Sequence, residues 1–204
     1  MPWDKILNLT QLKALILNNN HLVAFPPNAS LPKSLDTLVL SHNESLTELP
    51  SAMLKKLSGL TKLSCSHTAL HELPDLSECW AMKEVRLASN RIFKLESITK
   101  KLPLTVEIID IGHNLIRDPK ELERLFAFKK LTSLNIRGNL TEEDADEVFL
   151  KRAMRELPDL RIFNGRNLKG GSSKKPAEKR KVVEFRVKPE RANKNTKITF
   201  DDNE

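Results

Sequence analysis

The sequence has no tyrosine, two cysteines and few aromatic residues, which occupy 5% of its 204 positions. Because hydrophobic residues still make up 39% of the chain, a core is expected, and it must be mostly aliphatic. Cys65 and Cys79 are too few for a disulfide framework, which favours a reducing compartment. No apolar run is long enough to cross a bilayer, and the first residues lack the order of a signal peptide. These absences argue against a membrane protein and against a secreted disulfide scaffold.

Charge is unevenly distributed along the chain. The whole sequence carries +7, from 34 basic and 27 acidic residues. Residues 169–204 contain eleven Lys or Arg and six Asp or Glu, which leaves +5 there and only +2 in the preceding 168 residues. After Gly165 the composition also shifts toward Gly, Ser and Lys. Residues 167–204 are therefore predicted to be a basic, disordered tail.

A repeated frame organises the rest of the chain: apolar-x-x-apolar-x-apolar-x-x-Asn. Six copies begin at Leu12, Leu35, Leu60, Met82, Val106 and Leu131 and end at Asn20, Asn43, Thr68, Asn90, Asn114 and Asn139. The end positions are 23, 25, 22, 24 and 25 residues apart, which is the period of leucine-rich repeats. The frame resembles this family and predicts an α/β solenoid, a right-handed superhelix with parallel strands on its concave face.

The domain organisation follows from this frame. Residues 12–140 are predicted to form the six repeats, with inward apolar side chains and a column of buried asparagines that satisfy backbone groups at the turns. Residues 1–11 are predicted to be an N-terminal cap, in which Trp3, Ile6, Leu7 and Leu9 cover the first repeat. The burial of Asn43 and Asn139 would keep these two Asn-x-Ser/Thr sequences from being glycosylated.

Residues 141–166 are predicted to be a helical C-terminal cap. Thr141 to Asp144 has the pattern of a capping box, and Ala145, Val148, Phe149 and Ala153 follow at helical spacing. The segment from Leu157 to Gly165, Leu-Pro-Asp-Leu-Arg-Ile-Phe-Asn-Gly, comes next. It resembles the cap of nuclear and cytosolic leucine-rich-repeat proteins, such as the spliceosomal A-prime protein and the acidic nuclear phosphoproteins. The resemblance implies an intracellular protein.

Side chains of the concave face can be assigned from the frame. The predicted partner-binding residues are Ile16, Val39, Lys62, Ser64, Glu84, Arg86, Asp110, Asn135 and Arg137. They include no aromatic residue, so base stacking as a route to RNA binding is unsupported. The alternative is that these residues form an ordinary, solvated face of the sheet that binds no partner.

No cofactor, metal or catalytic site is predicted. His42, His67 and His113 share one column, but Ser, Asn and His commonly fill this position in the repeat, and no carboxylate or cysteine joins them. A Gly-rich phosphate loop, zinc spacing and a nucleophile–base signature are all missing from the sequence. We therefore expect a protein that binds and is not an enzyme.

The tail contains three short patterns. Lys174, Lys175, Lys179, Arg180 and Lys181 resemble a nuclear-import signal, although a solubilising charge run is the alternative. Two islands, Val183 with Phe185 and Ile198 with Phe200, resemble the docking motif for type-1 protein phosphatase, which adds a strand to that enzyme. Basic tails ending in Ile-x-Phe-Asp-Asp also resemble those of nucleolar ribosome-assembly factors, whose cations can neutralise RNA phosphates.

Together these features favour a nuclear or nucleolar adaptor linked to ribonucleoprotein assembly. It is expected to be a monomer within a hetero-complex, with a protein partner on the concave face, an RNA or ribonucleoprotein contact through the tail, and no membrane contact. Two alternatives stay open. One is a regulatory subunit of type-1 phosphatase, and the other is an A-prime-like partner of an RNA-binding-domain protein.

Overall fold

A computed structural model of the chain describes residues 6, 8–26, 29–139 and 145–168. Eight short strands form one continuous sheet in sequence order. They are β1 Ala14–Ile16, β2 Thr37–Val39, β3 Lys62–Ser64, β4 Glu84–Arg86, β5 Ile108–Asp110, β6 Ser133–Asn135, β7 Ile162–Phe163 and β8 Arg166–Asn167. The first seven run parallel, and β8 pairs antiparallel with β7.

The register of the sheet is the one that the frame predicts. The middle residues of the strands face each other in one row and all point inward: Leu15, Leu38, Leu63, Val85, Ile109, Leu134 and Phe163. Each is at most 9% exposed. A shift of one residue in any strand would send its apolar side chain to the opposite face, so burial fixes this register. The predicted solenoid fold is confirmed.

Short helices cover the core on the side away from the sheet. They are α1 Ser51–Leu54, α2 Ile98–Lys101 and α3 Pro119–Glu123, which is followed by a 3₁₀ turn at Arg124–Ala127. At the start of α3 the Asp118 carboxylate accepts a hydrogen bond from the Lys120 N–H at 2.9 Å, and proline occupies the first helical position. Phe128 follows the 3₁₀ turn and is completely buried.

The asparagine column joins each repeat to the one before it. The Asn43 amide donates to the carbonyl oxygens of Leu40, in its own repeat, and of Leu17, in the preceding repeat. Its oxygen accepts from the Asn20 and Leu22 N–H groups of the preceding repeat. Thr68 keeps part of this pattern, because its single hydroxyl proton is shared between two acceptors, Asn90 Oδ1 at 2.6 Å and the Cys65 carbonyl oxygen at 3.0 Å.

One member of the predicted column is not buried. Asn20 is exposed, whereas Asn43, Asn90, Asn114 and Asn139 are at most 6% exposed. The prediction for Asn20 was wrong for a simple reason. A frame asparagine is buried because it reaches back to the preceding repeat, and the frame has no copy before the first repeat.

The residue before each frame asparagine has a left-handed backbone conformation. These residues are Asn19, His42, His67, Ser89, His113 and Gly138, with φ between 53° and 75°. Asn and His tolerate this region better than most residues do, and glycine adopts it freely. The histidine column therefore has a local cause, which is the sharp turn that follows each strand.

The two ends of the solenoid differ from the prediction. At the N-terminus Ile6 packs against the core, but Leu9 is 51% exposed and does not cover the first repeat. Trp3 and Leu7 lie outside the described residues.

None of the helices in the described part of the chain is long and apolar enough to span a membrane.

At the C-terminus the predicted helix is present as α4, Ala145–Glu156, which buries Phe149 and Ala153 and leaves Val148 61% exposed. The capping residues 141–144 lie outside the described part. The cap is also not wholly helical. Strand β7 continues the parallel sheet beyond the sixth repeat, and the turn to β8 ends it.

Candidate functional site: the concave face

The concave face is formed by the strand residues that alternate with the inward row. In the central row Ile16, Val39, Ser64, Arg86, Asp110 and Asn135 face each other across neighbouring strands. The row before it contains Ala14, Thr37, Lys62, Glu84, Ile108 and Ser133. Parallel strands lie about 4.8 Å apart, so each row is a regular series of side chains. The structure thus brings the predicted concave residues together on one sheet.

Three charged residues form a cluster in the middle of this face. The Glu84 carboxylate accepts a hydrogen bond from Arg86 Nε and lies 3.1 Å from Lys62 Nζ. Burial alone would raise the pKa of Glu84, but the hydrogen bonds from Arg86 and Lys62 dominate and lower it. Glu84 is therefore ionised at neutral pH, and the cluster has a net charge of +1.

A second polar group lies on the following strands. Asp110 Oδ1 accepts hydrogen bonds from Asn135 Nδ2 at 2.8 Å and from the Gly112 N–H at 3.2 Å. The Arg137 N–H donates to Asn135 Oδ1 at 3.2 Å, and the Arg137 side chain is exposed. Asp110 and Asn135 thus hold each other in place, while the Arg137 guanidinium faces solvent.

Ser64 does not fit the predicted surface. It is only 7% exposed, and its hydroxyl lies 3.0 Å from the Ser41 hydroxyl, with which it forms a buried hydrogen bond. Ser41 Oγ also accepts from the Ser66 N–H. Because serine is short and has a partner just after the preceding strand, Ser64 is part of the sheet's own packing and offers little to a ligand.

The histidine column is not arranged as a metal site. The His42 and His67 rings are stacked with centroids 4.5 Å apart and planes inclined by only 8°. Lone pairs of parallel rings lie in separate planes, so the two nitrogens cannot converge on one ion at the distance of about 2.0–2.1 Å that zinc requires. No group of three or more potential ligands occurs among the described residues.

Both cysteines are buried and free within the described structure. Burial raises the pKa of the Cys65 thiol far above its ordinary value. The pKa of the Cys79 thiol is also raised, to about 11, mainly by burial and further by the nearby Asp75 and Glu78 carboxylates. Both thiols are therefore protonated at neutral pH, which disfavours a nucleophilic role.

The tail residues predicted to act in import and docking, Lys174 to Lys181, Val183, Phe185, Ile198 and Phe200, lie outside the described residues. One feature was not predicted from the sequence. A cleft of about 460 Å³ lies beside the segments that follow the second and third frame copies, and Glu48, Glu72 and Asp75 are among its lining residues. These charges come from different repeats, and no motif marks them.

Comparisons with known proteins agree with the repeat frame. No family model matches the chain. Osteomodulin from Rattus norvegicus is 30% identical over 153 residues, which are 73% of this chain and 34% of osteomodulin. Toll-like receptor 2 from Homo sapiens is 34% identical over 84 residues, which are 40% of this chain and 10% of the receptor. This chain thus spans about a third of osteomodulin and a tenth of Toll-like receptor 2.

A solved structure is similar in fold. An internalin from Listeria monocytogenes superposes with a TM-score of 0.53 and 16% identity, over 78% of this chain and 49% of the internalin. At this identity the likeness concerns the fold alone. The repeated frame, the in-register parallel strands and the similarity to osteomodulin and Toll-like receptor 2 together identify the chain as a leucine-rich-repeat protein.

Proposed function

We propose that this protein is a non-enzymatic adaptor of the nucleus, including the nucleolus, and that its concave face binds a segment of a partner protein in ribonucleoprotein assembly. The observation that carries the proposal is the uncovered concave sheet. In the described part of the chain, no element packs over the rows that contain Ile16, Val39, Arg86 and Asp110. A stack of repeats creates an extended surface of this kind, which commonly serves for binding.

The two ends of the concave face also differ in chemical character. Its first two strands present the partly buried apolar side chains of Ile16 and Val39. The next two strands present the cluster of Lys62, Glu84 and Arg86, whose single excess positive charge is on groups that are 37% and 45% exposed. Arg86 uses Nε for Glu84, so its remaining N–H groups can donate to a partner. We therefore expect a partner segment with apolar residues at one end and a carboxylate about 10 Å further along, two strand spacings away.

The nuclear part of the proposal depends on the basic cluster from Lys174 to Lys181. Such a cluster suits the acidic groove of an import receptor. The further link to ribonucleoprotein particles depends on the net charge of +5 in residues 169–204, because lysine and arginine can neutralise RNA phosphates with little sequence preference.

The proposal is tested by affinity purification of the tagged full-length chain from nuclear extract, followed by mass spectrometry. The variant Val39→Asp with Arg86→Glu places a charge at the apolar end and reverses a charge in the cluster. We expect recovery of the partner to fall at least about tenfold, which corresponds to about 1.4 kcal/mol of binding free energy. Circular dichroism and thermal unfolding establish that the variant is folded.

The matched control is Val148→Asp with Arg155→Glu, the same changes at two exposed positions of α4. It should recover the partner as well as the unaltered chain does. Equal recovery by the concave variant would overturn the proposal. The identity of the lost partner separates the alternatives: assembly factors support the proposal, whereas type-1 phosphatase or a spliceosomal RNA-binding-domain protein supports one of the other two functions.

A further inference from the structure

A second surface of the solenoid has a shape and charge unlike those of the concave face. It is a cleft lined by residues 47–49, Ser51, residues 70–75 and Lys101, and it continues into a smaller depression of about 120 Å³ beside Phe93, Lys94, Glu96 and Ser97. We call the two together the lateral cleft. The cleft lies at the third repeat, which is the shortest of the series, since Asn90 follows Thr68 after only 22 residues. The second and fourth repeats carry α1 and α2, whereas no helix occurs in the third, so the surface is lower there.

The lateral cleft combines an apolar floor with an acidic rim. Leu49, Leu70 and Leu73 are buried beneath it. Phe93 stands at one end with 53% of its surface exposed. An exposed phenylalanine ring can bind the aliphatic stem of a lysine or arginine and attract its charged end.

Acidic groups outnumber basic groups along the cleft. Its lining contains Glu48, Glu72, Asp75 and Glu96 and, of the opposite sign, Lys94 and Lys101, which gives a net charge of −2. Glu72 lies 3.2 Å from Lys101, and Asp75 lies 3.0 Å from Lys55. Glu48 and Glu96 form no ion pair with any residue that the structure describes. Residues 1–168 carry a net charge of only +2, whereas residues 169–204 carry +5, so the negative cleft and the positive segment lie in different parts of the chain.

We propose that the lateral cleft is an intramolecular docking site for the chain's own basic segment, residues 174–181. That segment has five Lys or Arg and one Glu, for a net charge of +4, and is the densest run of positive charge in the sequence. Opposite charge on the two surfaces favours their contact, and Phe93 offers the aliphatic stems of lysine and arginine a place to pack.

The chain is long enough for this contact. The described structure ends at Leu168, and Lys179 follows eleven residues later. Eleven extended residues span about 36–40 Å. The third-repeat part of the cleft lies five strand spacings from β8, a distance of about 24 Å along the stack, which leaves about 12–16 Å of chain to pass around the repeat. Tethering gives the segment an effective concentration of about 1 mM, so even a site with a Kd near 1 mM would be occupied about half of the time.

The proposal is tested in the full-length chain by paramagnetic relaxation. A nitroxide label is attached through Ala177→Cys, since the native Cys65 and Cys79 are completely buried and shielded from the reagent. At low salt we expect amide signals of Glu72, Phe93 and Glu96 to lose about half of their intensity relative to the reduced label. Signals of the concave strands should stay unchanged. The loss should not depend on protein concentration and should diminish as salt is added.

Two charge-reversed variants complete the test. Glu72→Lys with Glu96→Lys should abolish the signal loss at Phe93. The control is Glu147→Lys with Asp159→Lys, the same change of net charge at two exposed cap residues, which should leave the signal loss intact. Unchanged amide intensities in the cleft, equal loss over the whole solenoid, or a loss that grows with concentration would overturn the proposal. The last outcome would mean that the tail docks on a second copy.

Discussion

The first and fourth repeats share one sequence frame but differ in how well it is buried. In the fourth repeat the inward residues Val85 and Leu87 are completely buried, and Asn90 is 6% exposed. In the first repeat Leu17 retains 6% exposure, and Asn20 is exposed. The side chains are nearly the same types, so the difference comes from their neighbours. The fourth repeat is packed between two others, whereas the frame provides a neighbour for the first repeat on one side only.

This difference shows that a solenoid position gains its energy from the contacts between repeats. Stability in such a fold is approximately a sum of repeat terms and nearest-neighbour interface terms. Identical substitutions in the two repeats should therefore have unequal costs.

The largest expected effect is on the inward leucines. We expect Leu87→Ala to lower the free energy of unfolding by about 4 kcal/mol, because it leaves a cavity between two packed repeats. Leu17→Ala removes the same atoms, but the first repeat can relax around the smaller side chain, so we expect about 2 kcal/mol. Urea unfolding followed by circular dichroism measures both values. Equal costs for the two substitutions would show that the first repeat is as tightly packed as the fourth.

The next effect concerns the frame asparagines. Asn90 Oδ1 accepts from the Thr68 hydroxyl and the Leu70 N–H, and its Nδ2 donates to the carbonyl oxygens of Cys65 and Leu87. Asn90→Ala leaves these buried groups without partners, and we expect a loss of about 3 kcal/mol. Asn20→Ala should cost about 0.5 kcal/mol, since water replaces the lost hydrogen bond at an exposed site.

The same urea measurement, made on both asparagine variants, decides this prediction. A cost for Asn20→Ala close to that for Asn90→Ala would contradict the role assigned to the preceding repeat. The slope of unfolding free energy against urea should remain equal in the two variants, because neither changes the surface exposed on unfolding by much.

The smallest effect depends on pH and separates the fourth repeat from the first. The pKa of Glu84 in the folded protein lies below its ordinary value of 4.5, so the folded state favours the ionised carboxylate. Its contribution, about 0.5 kcal/mol for such a partly exposed ion pair, is complete above pH 4.5 and is lost as the pH falls through the lowered pKa. The first repeat has Ala14 and Ile16 at the corresponding positions, so it has no ion pair there and no pH-dependent contribution of this kind to its stability.

Unfolding of the Glu84→Gln variant at several pH values checks this effect. The stability difference from the unaltered chain should be greatest at neutral pH and should disappear in acid. A difference that grows in acid would mean that the carboxylate is destabilising in the folded state.

The sequence predicted the repeat positions well because each depends on a strong local rule. Inward leucines must alternate, and a polar side chain must close each turn, so Leu63 and Asn114 could be placed from the printed letters alone. The ends were predicted poorly. Leu9 is apolar and was expected to cover the first repeat, but its burial depends on what lies beside it, which no repeat period specifies.

The concave face was predicted in position and only partly in character. Lys62, Glu84 and Arg86 were assigned to one surface, yet their hydrogen bonds depend on side-chain geometry that the pattern does not contain. Ser64 was assigned to the same surface and is instead closed off by Ser41. The lateral cleft was not predicted, because it results from the lack of a helix in the third repeat, and no sequence motif marks the lack of a helix.

The left-handed residue at the end of each strand has a consequence for how such a chain can grow or shorten. From Asn19 to Gly138 one backbone conformation recurs at the same position of every repeat. Each turn is consequently an interchangeable unit, and duplication of an interior turn would insert one extra strand at the same step without disturbing the others. Each repeat gained by duplication or lost by deletion would therefore change the distance between the apolar and charged ends of the concave face by one strand spacing, about 4.8 Å.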